Sequence, residues 1–360
     1  MMAGLKKLLG FLSLGRFSQQ KNTERIEPVG KLPARPGIHV LATGGTIAGR
    51  RVSTGPRYRA GVLNIEALLD TVPGLRGLGE IHGEQVVNIS SQDMDDATWL
   101  KLAHRTQTLL ATPEVNAVVI THGTDTLEET ACFLDLTLTG NKPVVIVGAM
   151  RPAGTLGADG AANLFDAVAV AAHPASAARG VLAVMHSSIF EARDVTKISA
   201  SSIQAFASPN MGPAGYVNEG QVHYTRPAAR PPDRPCFNLS RLENLPPVGI
   251  VYGHAGATAV PVRALAEAGF KGIVAAGVGN GNLPRDMLTA LAEASGRGIA
   301  VVRASRTASG LTLRDIEIDD NRYGFIAAGT LNPQKARVLL QLALTQTQEP
   351  SDIQKIFERY

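Results

Sequence analysis

The stretch Ala117-Val118-Val119-Ile120-Thr121-His122-Gly123-Thr124-Asp125-Thr126-Leu127-Glu128-Glu129-Thr130 changes character twice. Ala117–Ile120 is a short apolar run stopped by polar residues and a glycine, which is how a buried strand ends in a loop. From Leu127 to Leu138 the apolar residues recur at helical spacing. The same alternation extends outward in both directions. Ile38–Ala42, Glu84–Ile89, Val144–Val147 and Val181–Met185 are further strand candidates. Ile65–Val72, Ala97–Leu110 and Ala161–Ala172 fit helices. Apolar strands separated by helices predict a parallel sheet covered on both faces, with ligands bound beyond the carboxyl ends of the strands.

The rhythm breaks at Arg226–Pro247, where Pro227, Pro231, Pro232, Pro235, Pro246 and Pro247 leave no sustained period. This segment reads as an extended linker. Strand patterns resume at Val248–Tyr252, Gly272–Ala276 and Gly298–Arg303, with helical ones at Val260–Ala268 and Pro284–Ala294. Asn332–Gln348 is strongly helical, and Asn332-Pro333 suits a cap and first turn. The expected fold class is therefore α/β, with a larger N-terminal parallel-sheet domain (flavodoxin-like, doubly wound) and a smaller C-terminal α/β domain. The boundaries are a tail at 1–36, a first domain at 37–225, the linker at 226–247 and a second domain at 248–360.

Charge narrows the function classes. The formal net charge is +4, but Lys6, Lys7, Arg16, Lys21, Arg25, Lys31 and Arg35 crowd into residues 1–36 against Glu24 and Glu27. The body is near neutral, which argues against a nucleic-acid surface. Cys132 and Cys236 are the only cysteines, and no HExxH or paired CxxC accompanies them, so no metal or other cofactor is expected. Cys132 lies in an apolar run and reads as a buried hydrophobe. No segment carries the ~20 apolar residues of a membrane span. Lys6 and Lys7 precede the apolar Leu8–Leu14, which fits an atypical export signal and a periplasmic protein. An amphipathic extension built on Leu5, Leu8, Leu9 and Leu12 fits equally, and would leave the protein in the cytoplasm.

Two loops are candidates for chemistry. Ala42-Thr43-Gly44-Gly45-Thr46-Ile47-Ala48-Gly49 follows the first strand; its glycines let a ligand approach the backbone, and Thr46 is either a reactive hydroxyl or a helix cap. In Thr121–Thr130, Thr124 or Asp125 could likewise be a cap. A Thr beside an Asp at one strand end, with a second Thr at another, suggests hydroxyl nucleophile chemistry. His122 does not complete a serine-type triad, because the local hydroxyls are threonines and no GxSxG occurs.

Thr43-Gly44-Gly45-Thr46-Ile47-Ala48-Gly49 and Thr121-His122-Gly123-Thr124-Asp125-Thr126 resemble the two signature motifs of L-asparaginases and glutaminase-asparaginases. The resemblance extends through Ser91-Gln92-Asp93-Met94, Val147–Pro152, Arg193-Asp194-Val195-Thr196-Lys197, Ala276–Asn282 and Gly329–Arg337, so it covers about residues 37–360. The last of these is similar to the secreted type II enzymes of Gram-negative bacteria. The resemblance implies that Thr46 attacks the side-chain amide of asparagine and that water hydrolyses the resulting β-aspartyl ester. Two groups are implied as its proton relay: Thr124 with Lys197 and Asp125, or Tyr58 with Glu317. Lys197 could instead merely pair with Asp194. For the substrate, the resemblance implies that Ser91 holds the α-carboxylate and that Asp125, Gln92 and Glu317 hold the α-ammonium. Asn282 and Glu317 would come from a neighbouring subunit of a homotetramer built from intimate dimers. The lid region departs from the family pattern: Arg50, Arg51, Arg57 and Arg59 make it basic, and Tyr58 aligns only if one residue is dropped. Ala111 and Thr139 occupy the family's disulfide positions. A dual glutaminase-asparaginase is the nearest alternative, since one methylene in a pocket is worth only ~1–3 kcal/mol. An inactive amino-acid-binding module is another.

Overall fold

A computed structural model describes residues 35–51, 58–59, 64–228 and 236–360. Strand β1 (Gly37–Gly44) lies between β2 (Glu80–Ile89) and β3 (Ala117–Thr121), and β4 (Val144–Val147) and β5 (Val181–Met185) extend the sheet, all parallel. The order β2-β1-β3-β4-β5 is that of the flavodoxin-like doubly wound sheet. Three antiparallel strands complete its eight: β6 (Ser188–Glu191), β7 (Gly215–Asn218) and β8 (Gln221–Tyr224).

Strands β3, β4 and β5 read as continuous apolar runs because both faces are covered. Leu41, Val118, Ile120, Ile146 and Met185 join one core, against α2 (Asp96–Ala111) and α3 (Leu127–Thr137). Alternate residues, Val40, Ala42, Val119, Val145 and Val184, join a second core with α1 (Ile65–Asp70) and α4 (Gly160–Ala172). Period-two alternation thus distributes one strand between two cores.

The smaller sheet is wholly parallel: β9 (Val248–Tyr252), β10 (Gly272–Gly277), β11 (Ala300–Ser305) and β12 (Phe325–Ala327), in that order. Helices α5 (Val260–Glu267) and α6 (Arg285–Gly296) cover one face. A short α7 (Asp320–Tyr323) precedes β12. The other face is covered by α8 (Pro333–Ala343), whose Val338, Leu339, Leu340 and Leu342 are all buried in the core that also holds α3. Helix α8 therefore lies between the smaller sheet and α3 of the larger domain.

Three differences from the sequence reading have physical causes. The expected helix Asn332–Gln348 is shorter, ending at Ala343, and a further helix beyond it, α9 (Pro350–Arg359), starts at Pro350 in its first turn and buries Ile353 and Phe357. The described part of the 226–247 segment carries Phe237, Leu239, Leu242 and Leu245 into the core, around a turn at Leu239–Arg241. Apolar residues without a regular period can still be buried when backbone polar groups find partners, as where Phe237 N–H donates to Leu136 C=O. Strands β6 to β8 are too short and mixed to give a clear periodic signal. Cys132 and Cys236 are both free thiols, and Thr139 is tied to α2 by its N–H donating to Gln107 at 2.9 Å.

Candidate active site

Three strand ends meet at the carboxyl edge of the larger sheet. Gly45 takes φ 76°, and its N–H donates to Ile89 C=O at the end of β2. A Cβ on Gly45 would lie 2.5 Å from Cα of Gly123 in the loop after β3, and one on Gly123 would lie 2.6 Å from Ser91 Oγ. Only glycine allows the three loops to touch backbone to backbone. Thr43 Oγ1 donates to Thr121 C=O at 2.9 Å and pins β1 to β3 just below.

The capping readings fail here. Gly45, not Thr46, caps the short turn Thr46–Ala48, so Thr46 is its first residue and is partly exposed. The cap position of α3 is Thr126, whose hydroxyl donates to Ser91 C=O at 2.7 Å rather than to the helix. Thr124 and Asp125 are thus released from structural duty.

Lys197 meets both of them. Its Nζ lies 2.9 Å from Thr124 Oγ1 and 2.5 Å from Asp125 Oδ1. Asp194 is not its partner, because that carboxylate accepts from the N–H groups of Asn210 and Met211 and from the Asn210 amide. The Thr124 hydroxyl is buried, the Asp125 side chain is 60% exposed and the Lys197 side chain 17% exposed, so the group opens on one side. Ser91 is buried beneath it, its Oγ accepting from Asp125 N–H at 3.2 Å. Gln92 is exposed in the adjoining turn Ser91–Asp93.

The segment bearing Lys197 is held by residues of the smaller domain, from the Gly329–Arg337 motif, to which the sequence assigned no such role. Asn332 donates to Thr196 Oγ1 at 3.1 Å and to Glu128, and Gln334 also donates to Glu128. The fully buried Lys335 donates to the carbonyls of Arg193 and Val195. Burial lowers its pKa. Arg193 in turn donates to Thr330 Oγ1 at 2.6 Å. A lysine in a polar motif reads as surface, and only the fold reveals that it is interior.

His122 is fully buried, its Nδ1 2.7 Å from Gly123 C=O and its Nε2 2.9 Å from Thr130 Oγ1, which also accepts from the Trp99 indole. Nδ1 must therefore carry the proton, and Nε2 accepts from the threonine. Burial pushes its pKa down from 6.5 to about 4. Unfolded, the ring protonates near 6.5, so its contribution to stability is complete above that pH and is lost as the pH falls towards 4. The thermal destabilisation produced by His122→Gln is expected to be greatest near pH 7 and to shrink towards pH 5. A gap that does not change with pH rules out the neutral ring. Comparison with the variant matters because Glu129 works the other way: burial, reinforced by Glu128, raises it to about 7, so its contribution is lost as pH rises.

Asn282 and Glu317 come together in the smaller domain. The Asn282 amide donates to the Glu317 carboxylate, and Asn282 Oδ1 has no partner among the described residues. Strand segments Arg50–Arg51 and Tyr58–Arg59 pair antiparallel, but the Tyr58 side chain lies outside the described residues. Among the described residues no three His, Cys, Asp or Glu side chains gather as a metal site, and no helix is long and apolar enough to cross a membrane.

A family model described as "Asparaginase, N-terminal" matches residues 37–230, and one described as "Glutaminase/Asparaginase C-terminal domain" matches residues 247–357. The chain is 53% identical over 330 residues to L-asparaginase 2 of Escherichia coli, covering 91% of this chain and 94% of that one. It is 51% identical over 327 residues to a probable periplasmic L-asparaginase of Haemophilus influenzae, covering 90% and 93%. A glutaminase-asparaginase of Pseudomonas fluorescens is 42% identical over 327 residues, covering 90% of each.

Proposed function

Since the chain belongs to the asparaginase–glutaminase family, we propose that it hydrolyses L-asparagine to L-aspartate and ammonia through an ester on Thr46. The observation that carries this reading is the Thr124–Lys197–Asp125 group, one residue beyond the Gly45–Gly123 contact that brings Thr46 to the same strand edge. A threonine hydroxyl is a weak nucleophile and needs a base. When Lys197 is an ammonium it donates to Thr124 Oγ1, and the Thr124 proton points elsewhere. When Lys197 is neutral the direction reverses: Thr124 donates to Nζ, and its oxygen can accept the Thr46 proton as the amide carbon is attacked. The amide nitrogen leaves as ammonia after protonation. Water, activated by the same group, then cleaves the ester. The relay through Tyr58 and Glu317 is the competing route for the first proton.

Substrate selection follows from a small zwitterion. Ser91 Oγ, at the base of the cleft, suits the α-carboxylate, while Asp125, Gln92, Asn282 and Glu317 suit the α-ammonium. We place Asn282 and Glu317 in the site of a neighbouring subunit. Exposed Leu311, Leu313 and Ile316, beside Glu317 in the chain, support a subunit contact there, as part of a homotetramer of intimate dimers. Light scattering is expected to give the mass of four chains; a stable monomer with full activity counts against it.

Glutamine is the second reading, supported by the 42% identity to a glutaminase-asparaginase. The test is initial rates of ammonia release from both amides. We expect kcat/KM for asparagine to exceed that for glutamine by at least about tenfold, the scale of one methylene. Comparable values would make the enzyme a dual glutaminase-asparaginase, and no release from either would leave only the binding module.

A further inference from the structure

We propose that the buried ion pair Arg303–Asp320 is a positioning device that holds Asn282 and Glu317 in register, and so governs selection for the substrate's α-ammonium group. This rests on reading those two residues as ammonium holders. Both charged side chains are fully buried, with Arg303 Nε 2.5 Å from Asp320 Oδ1 and Nη2 2.6 Å from Oδ2. Burying two charges gives no assured gain in stability over an apolar pair, so such a pair calls for another reason.

Its remaining contacts supply that reason. Arg303 Nη1 donates to Asn280 C=O at 2.9 Å, in the loop that carries Asn282. Nη2 donates to Leu313 C=O at 3.1 Å, in the loop that carries Glu317. A single guanidinium therefore spans both loops. Asn280 ties them a second time, its Oδ1 accepting from Leu313 N–H at 2.7 Å. Asp320 accepts from Asp315 N–H at 2.9 Å, and Asp315 takes φ 55°, a left-handed conformation that aspartate adopts more readily than most residues. The Asn282 loop is itself closed by reciprocal bonds between Val278 and Asn282. Packing leaves no slack, because a Cβ on Gly281 would lie 3.1 Å from Arg303 Nη1 and 2.9 Å from Thr312 Cγ2. Arg303 touches neither Asn282 nor Glu317 by a hydrogen bond; it acts through the backbones that present them.

The test uses the assembled enzyme carrying Arg303→Met together with Asp320→Leu, an exchange that leaves no lone buried charge. Asn280→Ala is a second variant that cuts only the tie between the loops. Circular dichroism and elution volume establish folding. The readout is the ratio of inhibition constants for L-aspartate and succinate, which differ only in the α-amino group, alongside KM and kcat for asparagine. We expect the preference for aspartate to narrow about 100-fold in the double variant, the scale of a displacement near 1 Å, in the same direction but less in Asn280→Ala. KM is expected to rise more than kcat falls. A merely structural role would weaken both inhibitors together and overturn the proposal. So would an unchanged ratio in the folded variants, or in Asn280→Ala if the double variant does not fold. Glu317→Gln separates the two levels. If it loses the preference while the loop variants keep it, the positioning role alone is wrong. If Glu317→Gln keeps the preference, the ammonium reading is wrong and the proposal goes with it.

Discussion

Alanine at position 46 is expected to lower ammonia release from asparagine about 10⁴-fold or more, the scale seen when a nucleophile is removed, while asparagine binding stays measurable by calorimetry. Gly45 provides the cap of the Thr46–Ala48 turn and makes the close contact with Gly123. Ile47 and Ala48 anchor the turn in the core. Truncating the Thr46 side chain to Cβ therefore removes the attacking oxygen and leaves the Gly45 cap and the buried Ile47 and Ala48 in place, so the variant should still fold. Hydroxylamine sharpens the test. If an ester forms on Thr46, it should be intercepted as β-aspartyl hydroxamate by the native enzyme and not by the variant. Normal turnover in Thr46→Ala would eliminate the proposed nucleophile.

Lys197→Met is the second large effect, expected to reduce kcat by about 10²–10⁴-fold, the range of a positioned general base. Methionine retains the stem and removes the group that can accept a proton from Thr124. Stability should hardly change. The Asp125 side chain is 60% exposed, and an ion pair open to water on one side contributes only about 0–1 kcal/mol. KM should move less than kcat, since Asp125 remains available to the ammonium. A kcat within about threefold of native would shift the proton transfer to Tyr58 and Glu317.

The sheet was legible because its strands are unusually uniform. Val144–Val147, Val181–Met185 and Val248–Tyr252 have the bounds their apolar runs suggested. The first two are buried at every position and leave no polar alternation to blur the ends, whereas Val248–Tyr252 stays apolar although Ile250 and Tyr252 are exposed. The Gly–Thr loops stood out through the motifs they resemble, since a glycine-rich turn after a strand is common in itself. What sequence could not settle was whether Thr46, Thr124 and Asp125 were caps, because capping and catalysis draw on the same residue types. The geometry frees all three from that duty. The supports were invisible for a different reason. Asp320 and Lys335 lie in polar stretches and Arg303 closes an apolar strand run, and a charged residue reads as solvated until long-range contacts bury it. Lys335 meets Arg193 and Val195 across the two domains, a pairing no local pattern encodes.

Helix α8 has a consequence for the order in which the molecule becomes competent. The Thr46 loop and the Thr124–Asp125 loop are made before the Lys197 segment, and the donors that hold that segment, Asn332 and Lys335, emerge well after it. Domains tend to fold from the N-terminus as the chain grows. A nascent chain can thus complete its larger sheet while the lysine segment still lacks its clasp and the face of α3 that α8 covers is bare. The loop of the proposed nucleophile is built first and the proposed relay is fastened only once α8 has been made, so a chain interrupted before α8 would lack the clasp on Lys197.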